Sequence, residues 1–546
     1  MSKIKNSILL FIAAAVLVYI NMPVVSYGFL GFPILLMFLI VLWIVITNFK
    51  TINTMGNTND IQQLQNIKAT KIPLFLLGVL FLYATVIPAI TSWPLLRTND
   101  YRNLIGKIET GKALSNHMLP ISLDKIRVVD QSLAEILGDK VLGSQSALGS
   151  QVTLGTFNIQ KVNNGLYWVA PLMHSGFFKW QKNSQGTNGY VMVNATNERD
   201  VKLVQEVAGK KVFIKYQSEA YFFDNLERHL YLHGYWNVGL TDYSFEIDDA
   251  GLPYWVVTKY KKTIGFQGEE AQGIVVVNAE TGELKEYEIK DAPKWVDRIQ
   301  PASFIENQLN NWGEYVKGYW NFSNQNKLKI TEPLSLVYGD DNDAYWYTGL
   351  TSVGADEATV GFVLVNSRTK KAIWYKQSGA TEFAAQNSAK GKVQEKGFSA
   401  SSPIPYNINN IPTYVMTLKD NGGLVKMYAM VAIEDYTIVG VGNTLREALM
   451  AYKNAFNTTG NKINAKSKSE KVAVHSVISR INNDVKNGNS YYYFTLKNST
   501  KVFIGSSQIS NDFPISNIGD SVEITFDNDN QDIIDVSTFK NNHIRK

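Results

Sequence analysis

The sequence contains no cysteine. That excludes disulfides, Cys-ligated zinc and thiol catalysis, and it fits either an oxidising or a reducing compartment. Charge is sparse as well: charged residues make up 18% of the 546, and the net charge is +5. So small an excess is no basic footprint, which disfavours nucleic acid as a partner. No G-x-S-x-G, Walker A, strand-borne G-x-G-x-x-G or H-E-x-x-H pattern occurs, so no catalytic residue is assigned and no cofactor is expected. What is present in quantity is apolar and aromatic residues, 45% and 12% of the chain. That is the composition of folded rather than disordered protein, and the length asks for several domains.

From Ser7 to Asn48 there is no charged residue, a stretch far longer than the ~20 residues one bilayer crossing requires. Asn21, Pro23, Ser26 and Gly28 interrupt it, so the reading is two spans, about 6–22 and 29–48, joined by a tight turn. A third covers about 72–95, with Pro88 bending its outer end. Lys3 and Lys5 precede the first span, and Lys50, Lys68 and Lys71 stand against Asp60 in the loop 49–71. Positive charge on that side puts the N-terminus in the cytoplasm and everything after about residue 97 outside. No Asp, Glu, Lys, Arg or His lies inside the spans, where a transporter would need them. The expectation for 1–96 is therefore a three-helix anchor in a lipid bilayer, with homo-oligomerisation through the helices open to it.

Beyond the spans a phrase recurs. Tyr167-Trp168, Tyr254-Trp255 and Tyr345-Trp346 are spaced about 90 residues apart. Each is followed by an apolar strand ending in Val-Asn, at Val193-Asn194, Val277-Asn278 and Val365-Asn366, and a degenerate fourth copy runs from Ile411 to Ala432. Each copy reads as a β-hairpin: aromatic strand, polar turn, β-branched strand. Helical patterning precedes the copies at 129–142 with Asp130 as N-cap, at 221–235 with Asp224 near its start, and at 301–320 opened by Pro301. Residues 97–120 read as a juxtamembrane stem, 378–403 as an exposed loop, 444–456 as a helix and 457–470 as a linker. Strands near 471–482, 489–497, 500–505, 519–527 and 532–537 read as a small OB-like barrel, with an SH3-like barrel competing.

The expected fold class is thus membrane-anchored α+β: three N-terminal transmembrane helices, tandem helix-plus-antiparallel-sheet modules and a C-terminal all-β barrel. The boundaries are 1–96, 97–240 (stem and first module), 241–300 (second hairpin module), 301–456 (third and fourth modules), 457–470 and 471–546.

Candidate sites are few. His229 and His233 stand four apart on one helical face, a metal-binding spacing, but Leu230 replaces the usual glutamate and no third ligand is evident, so an ordinary amphipathic helix is favoured. Asp248-Asp249 and Asp340-Asp341-Asn342-Asp343 lack the distal glutamate of a calcium loop and read as turns. Tyr167, Trp168, Tyr254, Trp255, Tyr345 and Trp346 could line a binding surface; repetition at one place in each module favours core. In the barrel, Tyr491-Tyr492-Tyr493 must alternate faces.

The stretch Tyr254-Trp255-Val256-Val257 through Gly273-Ile274-Val275-Val276-Val277-Asn278-Ala279-Glu280-Thr281-Gly282-Glu283 resembles the PepSY family of extracytoplasmic modules. Asn278, Ala279, Thr281, Gly282 and Glu283 match its Asn-Ala-x-Thr-Gly-Glu turn; the equivalents at Asn366 and Asn194 depart further, Lys370 standing for the glycine. The resemblance implies a non-catalytic binding or regulatory module of the bacterial envelope with a protein or cell-wall partner, and transfers no catalytic residue. The alternatives are a subunit of a secretion or DNA-transfer complex, or an envelope hydrolase with unidentified carboxylates.

Overall fold

A computed structural model describes residues 2–55, 71–114, 121–145, 149–163, 165–339, 343–354, 358–408, 411–458, 471–486, 489–507, 509–527 and 533–544. It is mostly β, and one plan is used four times. Each module places a helix before a four-stranded antiparallel meander. The first has Gln131–Gly143 and strands Asn158–Val162, Gly165–His174, Tyr190–Asn194 and Val201–Val204. The second has Leu226–Leu232 and strands Gly239–Ile247, Pro253–Ile264, Gln267–Asn278 and Leu284–Glu288. The third has Ala302–Glu314 and strands Ser335–Tyr338, Ala344–Ser352, Gly361–Asn366 and Ala372–Tyr375. The fourth has Glu382–Gly391 and strands Ile404–Ile408, Ile411–Lys419, Val425–Ala432 and Val439–Gly442.

The recurring Tyr-Trp phrase lies on the second strand of each meander, and its register recurs with it. Trp168, Trp255 and Trp346 sit opposite Ile159, Phe245 and Leu336, and Tyr414 opposite Pro405. The three indole N–H groups donate to Val129 O (2.8 Å), Tyr216 O (2.7 Å) and Gln300 O (2.9 Å), the backbone leading into each module's helix. In the fourth module the Tyr414 hydroxyl takes that role toward Ala380 O. The residue after each Val-Asn strand, Ala195, Ala279 or Ser367, and Ile433 after the fourth module's Val431-Ala432, accepts from the same lead-in segment through its carbonyl. The recurrence is therefore a packing device: one buried aromatic donor pins strand to helix, at about 1 kcal/mol net per bond plus the burial of the ring.

The chain forms two compact bodies. One comprises 1–111, 127–355 and 362–375, the other 112–126, 356–361 and 376–546. The first holds modules one to three and the N-terminal helices; the second holds module four, the helix Leu445–Thr458 and a closed five-stranded barrel. Barrel strands Lys471–Lys486, Asn489–Leu496, Val502–Ser506, Ser521–Asp527 and Ile533–Asn541 are joined in the order first, second, third, fifth, fourth, with the first also closing on the fourth. Phe494, Phe503, Phe513 and Phe539 fill it.

Several expectations are corrected. Three transmembrane helices are not found: among the described residues one helix, Lys71–Thr91, is long and apolar enough to cross a membrane, while Asn6–Asn21 and Gly31–Thr47 are apolar but short. A helix rises 1.5 Å per residue, so these two apolar stretches fall below the ~20 residues that a ~30 Å hydrocarbon core demands. Of the stem read at 97–120, residues 115–120 lie outside the described residues; the remainder holds a helix, Pro94–Asn103, and a strand, Ile108–Gly111, which pairs in parallel with Ala372–Tyr375 and extends the third module's sheet. The stretch 378–403 is no loop: Thr381 caps Glu382–Gly391, whose Ala384, Ala385 and Ala389 are buried. The 221–235 helix shrinks to Leu226–Leu232, capped by Asn225 rather than Asp224 and flanked by 3₁₀ turns. Most of the 49–71 loop, Asp340 to Asn342, nearly all of the 457–470 linker, and the middles of the turns at 487–489 and 527–530 lie outside the described residues.

Candidate functional site

The second module has the longest strands of the four meanders, Pro253–Ile264 and Gln267–Asn278. Their extra length carries the turn Gly265-Phe266 beyond the sheet to the ends of the apolar helices. Phe266, 3% exposed, packs between Tyr27 of the turn after Ser2–Asn21 (5.3 Å between ring centroids) and Tyr83 of Lys71–Thr91 (5.6 Å). Its amide donates to Ser92 Oγ at 2.8 Å. Beside it Phe29 meets Tyr260, and the Lys262 ammonium lies over the Phe29 ring at 5.4 Å. Two glycines permit the approach. Gly265 (φ +62) turns with a Cβ position 2.6 Å from Thr91 Oγ1, and a Cβ on Gly28 (φ +86) would meet Gly265 O at 2.9 Å. Any other residue would meet both a conformational and a steric cost at Gly265.

Two cavities flank this hairpin. One of about 420 Å³ is bounded by Asn21, Pro23, Phe29, Pro88, Lys262 and Phe266. The other, about 260 Å³, is lined by Tyr101, Glu269, Asn307, Gln308, Asn311 and Tyr315. Gln308 is 2% exposed; its amide nitrogen donates to Glu269 O at 2.9 Å, and its Oε1 has no partner among the described residues. Nearby the Lys370 ammonium reaches both oxygens of Glu270 (2.6 Å each) and Leu104 O (2.8 Å). It does so from a left-handed backbone, φ +65, at the position Gly282 fills in the second module.

Inside the first body a polar cluster joins modules one, two and three. Arg298 Nη2 donates to Ser244 Oγ (2.6 Å) and Asn158 Oδ1 (3.0 Å) and lies 3.9 Å from Glu246 Oε1; Ser244 Oγ donates to the same oxygen at 3.0 Å. Asp297 Oδ2 accepts from Lys161 N (2.7 Å) and the Tyr338 hydroxyl (2.9 Å). Burial pushes the Glu246 carboxyl up to about 8, against the pull of Arg298, and raises Asp297 and Tyr338 as well. Glu246 Oε2 and Arg298 Nε lack partners among the described residues. A raised carboxyl is what a general acid requires, but Glu246 and Asp297 line neither of these two cavities.

The predicted site residues divide cleanly. Trp168, Trp255, Tyr345 and Trp346 are buried and Tyr167 and Tyr254 half-buried; they are spread over three modules rather than gathered in one groove. His229 and His233 do come together, ring centroids 4.2 Å apart, but His229 Nε2 bonds Gly282 O (2.8 Å) and His233 Nδ1 bonds His229 O (2.7 Å). Each ring thus has one nitrogen engaged with a carbonyl, and burial lowers the His229 pKa. Among the described residues no group of three or more His, Asp or Glu is placed to hold a metal. Asp248 is a turn former, its carboxylate accepting from Ala250 N and Leu252 N; Asp343 accepts from the Asn366 amide. Tyr492 stacks on Phe513 toward the barrel interior. Sequence reasoning missed the hairpin tip, although Ile264-Gly265-Phe266-Gln267-Gly268 carried a signal: apolar residues between glycines where a solvent turn would be polar.

No protein-family model and no curated protein sequence matches the chain. Among solved structures it is similar to the polysaccharide lyase Uly1, at 9% identity, covering 64% of this chain and 75% of that one with a TM-score of 0.17. It is also similar to a mutant levansucrase of B. megaterium, at 11% identity, covering 77% and 97% with a TM-score of 0.16. Likenesses at that level carry no argument about fold or function.

Proposed function

We propose that the protein is a membrane-anchored binding protein of the bacterial envelope, acting as a non-catalytic scaffold or regulator, with residues after about 97 on the extracytoplasmic side. The observation that carries this reading is the junction at Phe266. A long hairpin of the second module is seated on the end of a helix whose apolar stretch the rest of the protein leaves uncovered. An apolar helix bare along its length costs free energy in water and none in lipid. The modules' helix-plus-meander plan and the Asn278–Glu283 turn support a PepSY-like assignment, and the strand order of the barrel supports an OB-like one. With the repeated aromatics spent on packing, the surfaces left for a protein or cell-wall partner lie on loops and module edges.

Fractionation followed by purification of the full chain in mild detergent tests the proposal. The expected result is retention in the membrane through an alkaline wash, with an envelope protein or glycan co-purifying. A reporter after Lys546 active only in the cytosol, or a chain recovered from the soluble fraction, overturns it.

A further inference from the structure

An exposed aromatic ridge lies where the second module meets the end of the helix Ser2–Asn21. Phe177, Phe178 and Trp180 come from one short helix, and Tyr221, Phe222 and Phe223 from the turn ahead of Leu226–Leu232. Phe177 stands edge-on to Tyr221 (5.2 Å), and Trp180 packs on Phe222 (5.6 Å). The outer rings face outward: Phe178 is 74% exposed, Phe223 68% and Phe222 52%. Contiguous apolar surface of this kind marks an interaction site rather than chance. Phe222 moreover sits at φ +52, a region a bulky residue avoids at a cost in free energy. Arg228 bonds its carbonyl at 2.8 Å. Strained backbone that turns an apolar ring into solvent does nothing for packing.

The ridge's neighbours say what covers it. Phe223 lies 6.4 Å from Tyr19, in the last turn of the apolar helix, and Arg228 stacks over Tyr19 at 4.3 Å. Val25 N bonds Trp236 O, and Trp236 is itself exposed. Along its length the helix presents Phe11, Ile12, Val16 and Ile20 to its surroundings. The ridge therefore continues an apolar surface that already runs along the helix, and Lys179 and Lys182 add positive charge at its rim. Aromatic rings backed by lysines at the end of an apolar helix fit the headgroup layer of a bilayer with anionic lipid.

We infer that Phe178, Phe222 and Phe223 dip into the interfacial layer of the membrane that holds Lys71–Thr91, fixing the tilt of the first body on that surface. This rests on the membrane reading above. The absence of native cysteine makes the test direct. Full-length Phe178→Cys, Phe223→Cys, Leu82→Cys and Glu283→Cys variants, each carrying one environment-sensitive fluorophore, are reconstituted in phosphatidylcholine–phosphatidylglycerol vesicles. Expected are quenching at 178 and 223 by a nitroxide held near the headgroups, at 82 by one deep in the acyl region, and at 283 by aqueous iodide. If 178 and 223 report water while 82 reports lipid, the ridge proposal fails and the anchor stands. If 82 also reports water, both fail together. An apolar signal at 178 and 223 without nitroxide quenching means that protein covers the ridge, which also overturns the proposal.

Discussion

Replacing Glu246 by glutamine should remove a pH dependence of stability that the wild-type protein carries. The carboxyl is enclosed by Ser244, Arg298 and the neighbouring Asp297, and burial raises it from 4.5 to about 8. A group whose folded pKa is raised contributes its full stability below the unfolded value, and loses that contribution as pH climbs through the folded one. The affected window therefore runs from about 4.5 to about 8. Each pH unit across that window is worth about 1.4 kcal/mol, so the ceiling on the loss by pH 8 is roughly 4 kcal/mol. Glutamine keeps the shape and accepts from Ser244, but has no proton to lose. The assay is denaturant unfolding of the detergent-solubilised full chain, followed by tryptophan fluorescence between about pH 5 and 8.5, the range in which the linkage acts. Wild type and Glu246→Gln should coincide near the acid end and diverge upward, the variant becoming the more stable. A residual slope of the same sign stays in the variant, because burial raises Asp297 too. Parallel curves, or a variant that weakens progressively with pH, would refute the assignment of a buried, neutral Glu246.

Three further outcomes follow from the packing. Phe266→Ala should cost about 3–5 kcal/mol, the range for a buried aromatic; limited proteolysis should then cut at the 264–267 turn, which the wild type protects. Lys370→Ala loses the Glu270 pair and keeps the left-handed strain, whereas Lys370→Gly loses the pair and relieves about 1 kcal/mol of strain. Thermal unfolding should therefore rank glycine above alanine; equal losses would show that φ +65 is not strained. Trp255→Phe leaves Tyr216 O without its donor and should cost about 1–3 kcal/mol, while Tyr414→Phe, losing a 3.4 Å bond, should cost under ~1 kcal/mol by the same scale. Chemical denaturation of each variant reads the difference.

Much of the modular plan was legible. A tryptophan recurring at a fixed place before a Val-Asn strand reads as core because repeated burial is a local packing demand; Trp168, Trp255 and Trp346 meet it with the same hydrogen bond. Asp130 was readable as a cap, since a carboxylate just ahead of an apolar period has one favoured use, and it accepts from Leu133 N at 3.0 Å. The barrel strands were readable from alternation. The helix at 382–391 was not, because alanine, serine and lysine look alike in a loop and on a helix whose buried apolar residues are all alanine. The 221–225 segment misled for the opposite reason: its aromatics matched a helical period, yet their rings face outward from a strained turn.

The amino-acid order alone determined the repeat, its period, the aromatic core positions and the all-β end, since each of these depends on neighbours a few residues away. It also located the apolar N-terminal third of the first body, though not how many of its helices are long enough to cross a bilayer. Three-dimensional folding decided the rest. Phe266 reaches Tyr83, Glu246 meets Arg298, and Lys370 finds Glu270 across separations of tens to hundreds of residues. Such pairs leave no periodic trace in a chain, because the distance that matters to a charge or a ring is the one through space.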